Sequence, residues 1–193
     1  MIRLATHADL PAILSIYAPY VENTTYTFEY DTPTLESFTA RFDAITAQFP
    51  WLIWEEGGKV LGYAYGSAPF ERAAYRWCAE VSIYLTPEIQ GQGIGKKLYL
   101  ALEEFLKLQG YKIIFSLITA ENERSLAFHS RLGYTVCGHF PDCGLKFGRW
   151  LGVTWMKKEL FSGEIPSIAP ASAAHIVKNH RNFVYNLDNI PLF

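Results

Sequence analysis

Apolar residues at Ala12, Ile13, Ile16 and Tyr17 recur at the spacing of one helix face, just after a Thr6-His-Ala-Asp9 pattern that fits a capping box with Asp in the usual Glu position. Residues 2–5 ahead of it read as a short strand. Thr34 opens a second helical stretch through Phe38, Phe42 and Ile45. Between these helices, residues 24–34 (TTYTFEYDTPT) are β-prone and aromatic. Residues 51–55 and 60–65 are β-type runs on either side of Gly57-Gly58, a hairpin signal. A further strand is predicted over 79–85. Leu98, Leu102, Phe105 and Leu106 define a helix over 93–108, which Gly110 stops. The unbroken run 112–118 predicts a central strand. Residues 122–132 are helical up to Gly133, and 150–156 form the last clear strand. The order β-α-α-β-β-β-α-β-α-β predicts a mixed α/β domain around one sheet.

Composition adjusts this picture in a few places. Half of the 193 residues are apolar, enough for one well-buried core, and 19% charged residues argue against general disorder. A net charge of -2 without Lys/Arg clusters excludes a nucleic-acid surface. Cys78, Cys137 and Cys143 form no C-x-x-C pair, so reduced thiols are expected, with neither a disulfide framework nor a metal site. No apolar run reaches the roughly 18 residues of a membrane span, and the start lacks the apolar core of a signal peptide. The expectation is a cytoplasmic protein with no membrane or nucleic-acid partner. Residues 162–193 stand apart, first rich in Pro and Ala, then aromatic at 183–185 and 190–193. They are expected to form an extension to a domain at 1–161, docked on that domain or on a neighbouring subunit.

The stretch 90–95, Gln-Gly-Gln-Gly-Ile-Gly, lies between a strand and a helix. It fails as a P-loop, because three residues rather than four separate Gly91 from Gly95, and Lys97 stands where Ser or Thr is needed. It fails as a dinucleotide fingerprint, whose third Gly would fall at Lys96. Its glycines still permit a sharp turn that bares backbone amides at a helix start, a nest suited to a pyrophosphate, with Lys96 and Lys97 adding charge. A plain Gly-rich loop is the competing reading.

Gln90-x-x-Gly93-x-Gly95 after a strand ending in Ile83-Tyr84-Leu85 resembles the acetyl-CoA pyrophosphate loop of the GNAT acetyltransferase superfamily. The block 122–134, NERSLAFHSRLGY, agrees with a second motif of that superfamily. Within it, 24–34, 69–85, His129 and 145–150 resemble the phosphinothricin/methionine sulfone N-acetyltransferase family, over residues 2–160. Gly152, where that family often has Asp, and Cys78-Ala79, where it commonly has Thr-Val, depart from the pattern and bear on the acceptor. The resemblance implies a GNAT fold with a mixed, mostly antiparallel sheet flanked by helices. It also implies acetyl-CoA as cosubstrate, a small amino acid or analogue as acceptor, and a homodimer.

Strand alternation puts Glu80, Ser82 and Tyr84 on one face, so Glu80 is the candidate general base, against the alternative of a solvated strand carboxylate. At about 3.3 Å per residue, the path from Glu80 to the glycine turn matches an extended pantetheine arm. The resemblance implies that backbone near Ile83 and Leu85 holds the arm, and that Gln90, Gly91, Gln92, Gly93, Gly95 and Lys96 hold the phosphates. Asn122, Ser125 and His129 share a helix face. His129, at a position where the family has His, is the candidate acid or cofactor-orienting group, with a packed structural His as the alternative. Arg72 suits an amino-acid carboxylate, and Phe28, Tyr75 and Trp77 could wall the pocket. Lys146 and Arg149 could serve a loop above it. An arylamine, polyamine or peptide N-terminus as acceptor, and a non-catalytic CoA-binding module, remain open.

Overall fold

A computed structural model describes residues 1–163 and 168–180. Seven strands form one sheet: β1 (Ile2–Leu4), β2 (Trp51–Glu56), β3 (Lys59–Ser67), β4 (Cys78–Leu85), β5 (Ile113–Thr119), β6 (Thr135–Lys146) and β7 (Arg149–Glu159). They lie in the order β1-β2-β3-β4-β5-β7-β6, antiparallel except for the β4–β5 pair. Alternation along the strands divides the core in two. Trp51, Ile53 and Tyr63 face α1 (Leu10–Asn23) and α2 (Leu35–Thr46), packing on Ile13, Tyr17, Phe38 and Phe42. Leu52, Ala64, Ala79 and Val81 face α3 (Ile94–Gln109), packing on Leu98, Leu102 and Leu106, with Leu126 and Phe128 of α4 (Glu123–Arg131) alongside.

Local chemistry sets the element ends as the sequence predicts. Asp9 accepts from the Thr6 amide at 2.8 Å and pairs with Arg3 at 2.7 Å, fixing the turn from β1 into α1. Thr34 caps α2 by accepting from the Ser37 amide. Gly57-Gly58 closes the β2–β3 hairpin, with Glu56 opposite Lys59. Gly110, at φ 97°, ends α3.

Three regions differ from expectation. The β-prone stretch 24–34 forms no strand; it is a loop laid against β6. Strand β6 was absent from the predicted order, because Gly138, Pro141, Asp142 and Gly144 break its pattern. As an edge strand it tolerates them through irregularities between Val136 and Gly138 and between Phe140 and Gly144. That second irregularity also accounts for Gly152: a Cβ there would lie 3.2 Å from the Phe140 carbonyl oxygen and 3.4 Å from Pro141 Cα. A short helix, α5 (Ala173–Asn179), was also not foreseen. Ala173 and Ile176 bury against Phe105 of α3, and Gln109 Nε2 donates to the Ala171 carbonyl at 2.7 Å. The aromatic segments at 183–185 and 190–193 lie outside the described residues.

Candidate active site

Strands β4 and β5 pair only at Cys78–Ile113, Ala79–Ile114 and Glu80–Phe115, and then part. The remaining five residues of β4 keep their β3 partners and have none on β5. The Thr86 amide donates to the Leu61 carbonyl at 2.8 Å, continuing the β3–β4 register. Hydrogen-bonded pairs alternate, so Tyr84–Tyr63 and Ser82–Tyr65 are bonded, and the peptide groups of Val81, Ile83 and Leu85 turn toward the gap. The Tyr20 hydroxyl occupies those of Leu85, donating to its carbonyl at 2.7 Å and meeting its amide at 3.3 Å. Those of Ile83 are left open to an extended ligand.

The gap leads into a cavity of about 540 Å³. Ile83, Leu85, Gln90, Gly91, Gly93, Gly95, Lys96, Asn122, Ser125 and His129 all line it, so most of the expected cofactor residues come together. Gly91 and Gly93 both sit at φ 79°, a left-handed conformation that bares the amides before α3. Gly95 lets the helix start approach β4, since a Cβ there would lie 3.1 Å from Leu85 Cδ1. Gln90 Nε2 donates to Leu85 O and to the Tyr20 hydroxyl, each at 3.2 Å, and its Oε1 accepts from Arg124 at 2.7 Å. Lys96, Arg124 and Arg131 therefore place positive charge around the cavity. Gln92 is not in the wall; its side chain donates to the Glu88 carbonyl at 2.6 Å. Asn122 Oδ1 caps α4 by accepting from the Ser125 amide at 3.1 Å.

His129 is 2% exposed. Its Nδ1 lies 2.8 Å from the Ser125 carbonyl, which can only accept, so Nδ1 carries the proton. Nε2 is then an acceptor, with the Tyr99 hydroxyl at 2.7 Å and the Ser116 hydroxyl at 2.9 Å. Burial lowers its pKa to about 4. The ring is therefore neutral, and its one N–H is committed to its own helix.

Glu80 lies at the vertex of the split and outside the cavity wall, one residue before the lining residue Val81. It shares the sheet face of its ladder neighbour Phe115. Burial raises its pKa. Phe70 packs on Trp155 at 5.6 Å, on Tyr75 at 4.5 Å and edge-on to Phe115 at 6.1 Å, making an aromatic wall beside the carboxylate's strand. Arg72, exposed at the start of the turn Ala73–Tyr75, has no ion-pair partner among the described residues. By contrast, Arg41 pairs with Glu29 and Arg149 with Glu121. Phe28 lies over Gly144, while buried Lys146 donates to the Val21 and Thr27 carbonyls at 2.7 and 2.8 Å, pinning the 24–34 loop. Lys146 is thus a strut of the loop, with its ammonium turned away from solvent.

Sequence reasoning missed Tyr20, Tyr26, Tyr99, Ser116 and Arg124, all in the cavity wall. Arg124 stood inside the 122–134 block, and its charge at a helix start was a visible signal. Tyr20 reaches the site from 65 residues away, which no local pattern reports. Phe70, Phe115 and Trp155 read as ordinary core.

A split mixed sheet, a glycine turn at a helix start and a carboxylate at the vertex define a class of acyl-CoA-dependent transferase, and the comparisons agree. The family model for the acetyltransferase (GNAT) domain matches residues 2–155, and the chain belongs to that family of N-acetyltransferases. It is 40% identical over 163 residues to L-methionine sulfoximine/L-methionine sulfone acetyltransferase of Pseudomonas paraeruginosa, covering 82% of this chain and 94% of the relative. It is 35% identical over 167 residues to phosphinothricin N-acetyltransferase of Alcaligenes faecalis, covering 84% of each. Among solved structures, a GNAT superfamily phosphinothricin acetyltransferase from Sinorhizobium meliloti, in complex with AcCoA, superposes with a TM-score of 0.81 at 37% identity, over 89% of this chain and 92% of that one.

Proposed function

We propose that this protein moves the acetyl group of acetyl-CoA to the amino group of a small amino acid or close analogue, of the methionine sulfone, methionine sulfoximine or phosphinothricin type. The observation that carries this reading is the position of Glu80, at the point where β4 and β5 part, between the cavity and the aromatic wall. The amides of the glycine turn, with Lys96 and Arg124, suit the phosphates of the cosubstrate. The open peptide groups of Ile83 suit its amide-bearing arm. Glu80, with its raised pKa, takes a proton from the acceptor's ammonium. The free amine attacks the thioester carbon, the C–S bond breaks, and the nitrogen's second proton ends on sulfur. Arg72, exposed and without an ion-pair partner among the described residues, holds the acceptor's carboxylate, and Phe28 and Tyr75 flank it.

The catalytic domain in this reading is 1–161, with 162–193 an extension. A cytoplasmic location fits three free thiols, two of them exposed. Among the described residues no helix is long and apolar enough to cross a membrane, and no group of His, Cys, Asp or Glu could hold a metal ion. A homodimer belongs to the same proposal. Val136, Phe140 and Leu145 of β6 and Trp150 of β7 are exposed and available to a partner, and light scattering checks it.

The test is CoA thiol release from acetyl-CoA with methionine sulfone, phosphinothricin, an arylamine and spermidine. Release with the first two supports the reading. Release with only the others overturns the acceptor, and binding without release points to a CoA-binding module. Glu80→Gln should cut turnover about 10²- to 10⁴-fold with little change in acetyl-CoA affinity. An unchanged rate from pH 6 to 9 would remove Glu80 as the base.

A further inference from the structure

A side chain closes the outer end of the gap. Tyr20 lies near the end of α1, directly after Pro19; Thr24 Oγ1 donates to its carbonyl at 2.7 Å, and Tyr84 packs edge-on to its ring at 5.1 Å. Its hydroxyl donates to Leu85 O at 2.7 Å and accepts from the Leu85 amide at 3.3 Å and from Gln90 Nε2 at 3.2 Å. One bond given and two received is the full complement of a phenol. Gln90 Nε2 also donates to Leu85 O at 3.2 Å, so both lone pairs of that carbonyl are taken. Arg124 can only donate, and by holding Gln90 Oε1 at 2.7 Å it fixes which way the Gln90 amide faces. Tyr20, Gln90 and Arg124 all line the cavity. The clasp they form runs from α1 over the end of β4 to α4. Leu85 therefore has no hydrogen-bonding capacity left on the gap side. The peptide groups of Ile83, nearer to Glu80 along the same strand, have no partner there among the described residues.

We propose that Tyr20 sets the register of the cosubstrate: by closing Leu85 it stops the pairing of the pantetheine arm with β4 at Ile83. This rests on the acetyl-CoA reading above. Peptide groups that face one way along a strand recur every second residue, about 6.6 Å apart. With Leu85 open, the arm would have a second station that far from the first, and pairing there would draw the thioester back from Glu80. Burial holds the Tyr20 phenol above its ordinary pKa, so it keeps the proton it gives to Leu85. Tyr20 takes no part in bond making; it is a positioning residue, and Gln90 and Arg124 hold its hydroxyl in place.

The direct test is amide hydrogen exchange followed by NMR, with and without CoA. In the wild type the Leu85 amide should be protected in the free protein and unchanged by CoA, while the Ile83 amide gains about tenfold or more protection on binding. In Tyr20→Phe the Leu85 amide should lose its protection in the free protein and regain it with CoA. The same variant should lose about tenfold or more in kcat, as a displaced reacting atom does. Its CoA affinity should stay level or tighten by up to about tenfold, the worth of one added hydrogen bond. ADP, which has the pyrophosphate and no arm, should bind as before. A Leu85 amide that CoA protects in the wild type, or a Tyr20→Phe protein with wild-type kcat, overturns the inference, since Tyr20 is then a plug the arm displaces. Equal weakening of ADP and CoA binding also overturns it, as the mark of a structural role alone. Wild-type protein that binds no CoA overturns the acetyl-CoA reading itself. Should Tyr20→Phe fail to fold, the wild-type exchange at Ile83 and Leu85 still decides.

Discussion

Burial drives Glu80 and His129 toward their neutral forms, one by raising a pKa and the other by lowering it. For a base the shift is useful, because a carboxylate that holds its proton more tightly is better matched to an ammonium. For an acid it is disabling, because an imidazole at about 4 holds no extra proton at neutral pH. The pH dependence separates them. As pH falls, kcat/KM should drop along a limb set by Glu80, above the range of an ordinary glutamate, and His129 should add none between about pH 5 and 9. Measured in His129→Gln, the limb should keep its position while the rate falls; a displaced limb would return the proton to His129. Arg72→Ala should raise the acceptor KM about tenfold or more and leave that for acetyl-CoA alone. Equal effects on both would place Arg72 outside the acceptor site. Glu80 and His129 were legible as candidates from strand alternation and helix spacing. The burial of His129 and the partners of its Nε2 were not, because Tyr99 and Ser116 lie 30 and 13 residues away in the sequence.

At the scale of elements, most strands and helices with clean periodicity were foreseen within a residue or two, β7 running three residues further than expected, and the glycine turn was placed correctly before α3. Strand β6 was hidden because the ladder with β7, rather than its own composition, holds it extended. The 24–34 loop was obscured by the converse effect: β-prone aromatics here pack as side chains over β6 without entering the sheet. Phe28 shows how close that packing is, since a Cβ on Gly144 would collide with its ring. Gly144→Ala should therefore turn the Phe28 ring outward. Because Phe28 is 37% exposed, little stability should be lost. The acceptor KM should rise severalfold with acetyl-CoA kinetics intact. A large fall in thermal midpoint with unchanged KM would show that the contact is structural alone.

For the whole molecule, the described part of the extension lies on the α3 side, with Ile176 1% exposed and the Ala173 amide donating to the Gln48 carbonyl at 2.9 Å. Deleting 162–193 uncovers Phe105 and removes the bonds of Gln48 and Gln109 to Pro170, Ala171 and Ala173, leaving those to Tyr111 and to each other. Losing one buried Ile with its hydrogen bonds should lower the midpoint by roughly 5–10 °C in differential scanning calorimetry. No shift would mean the extension contributes nothing to the fold. The split sheet has a consequence on the same scale. Strands β1 to β4 and strands β5 to β7 are joined by three residue pairs, beyond which the ladder is interrupted. A ligand that hydrogen-bonds to Ile83 along that interruption acts as a length of missing strand. Folding and cosubstrate concentration are then thermodynamically linked, and at a hundredfold excess over Kd the linkage is worth about 2.7 kcal/mol. In the proposed reading, the seam that admits the cosubstrate is also the seam it mends.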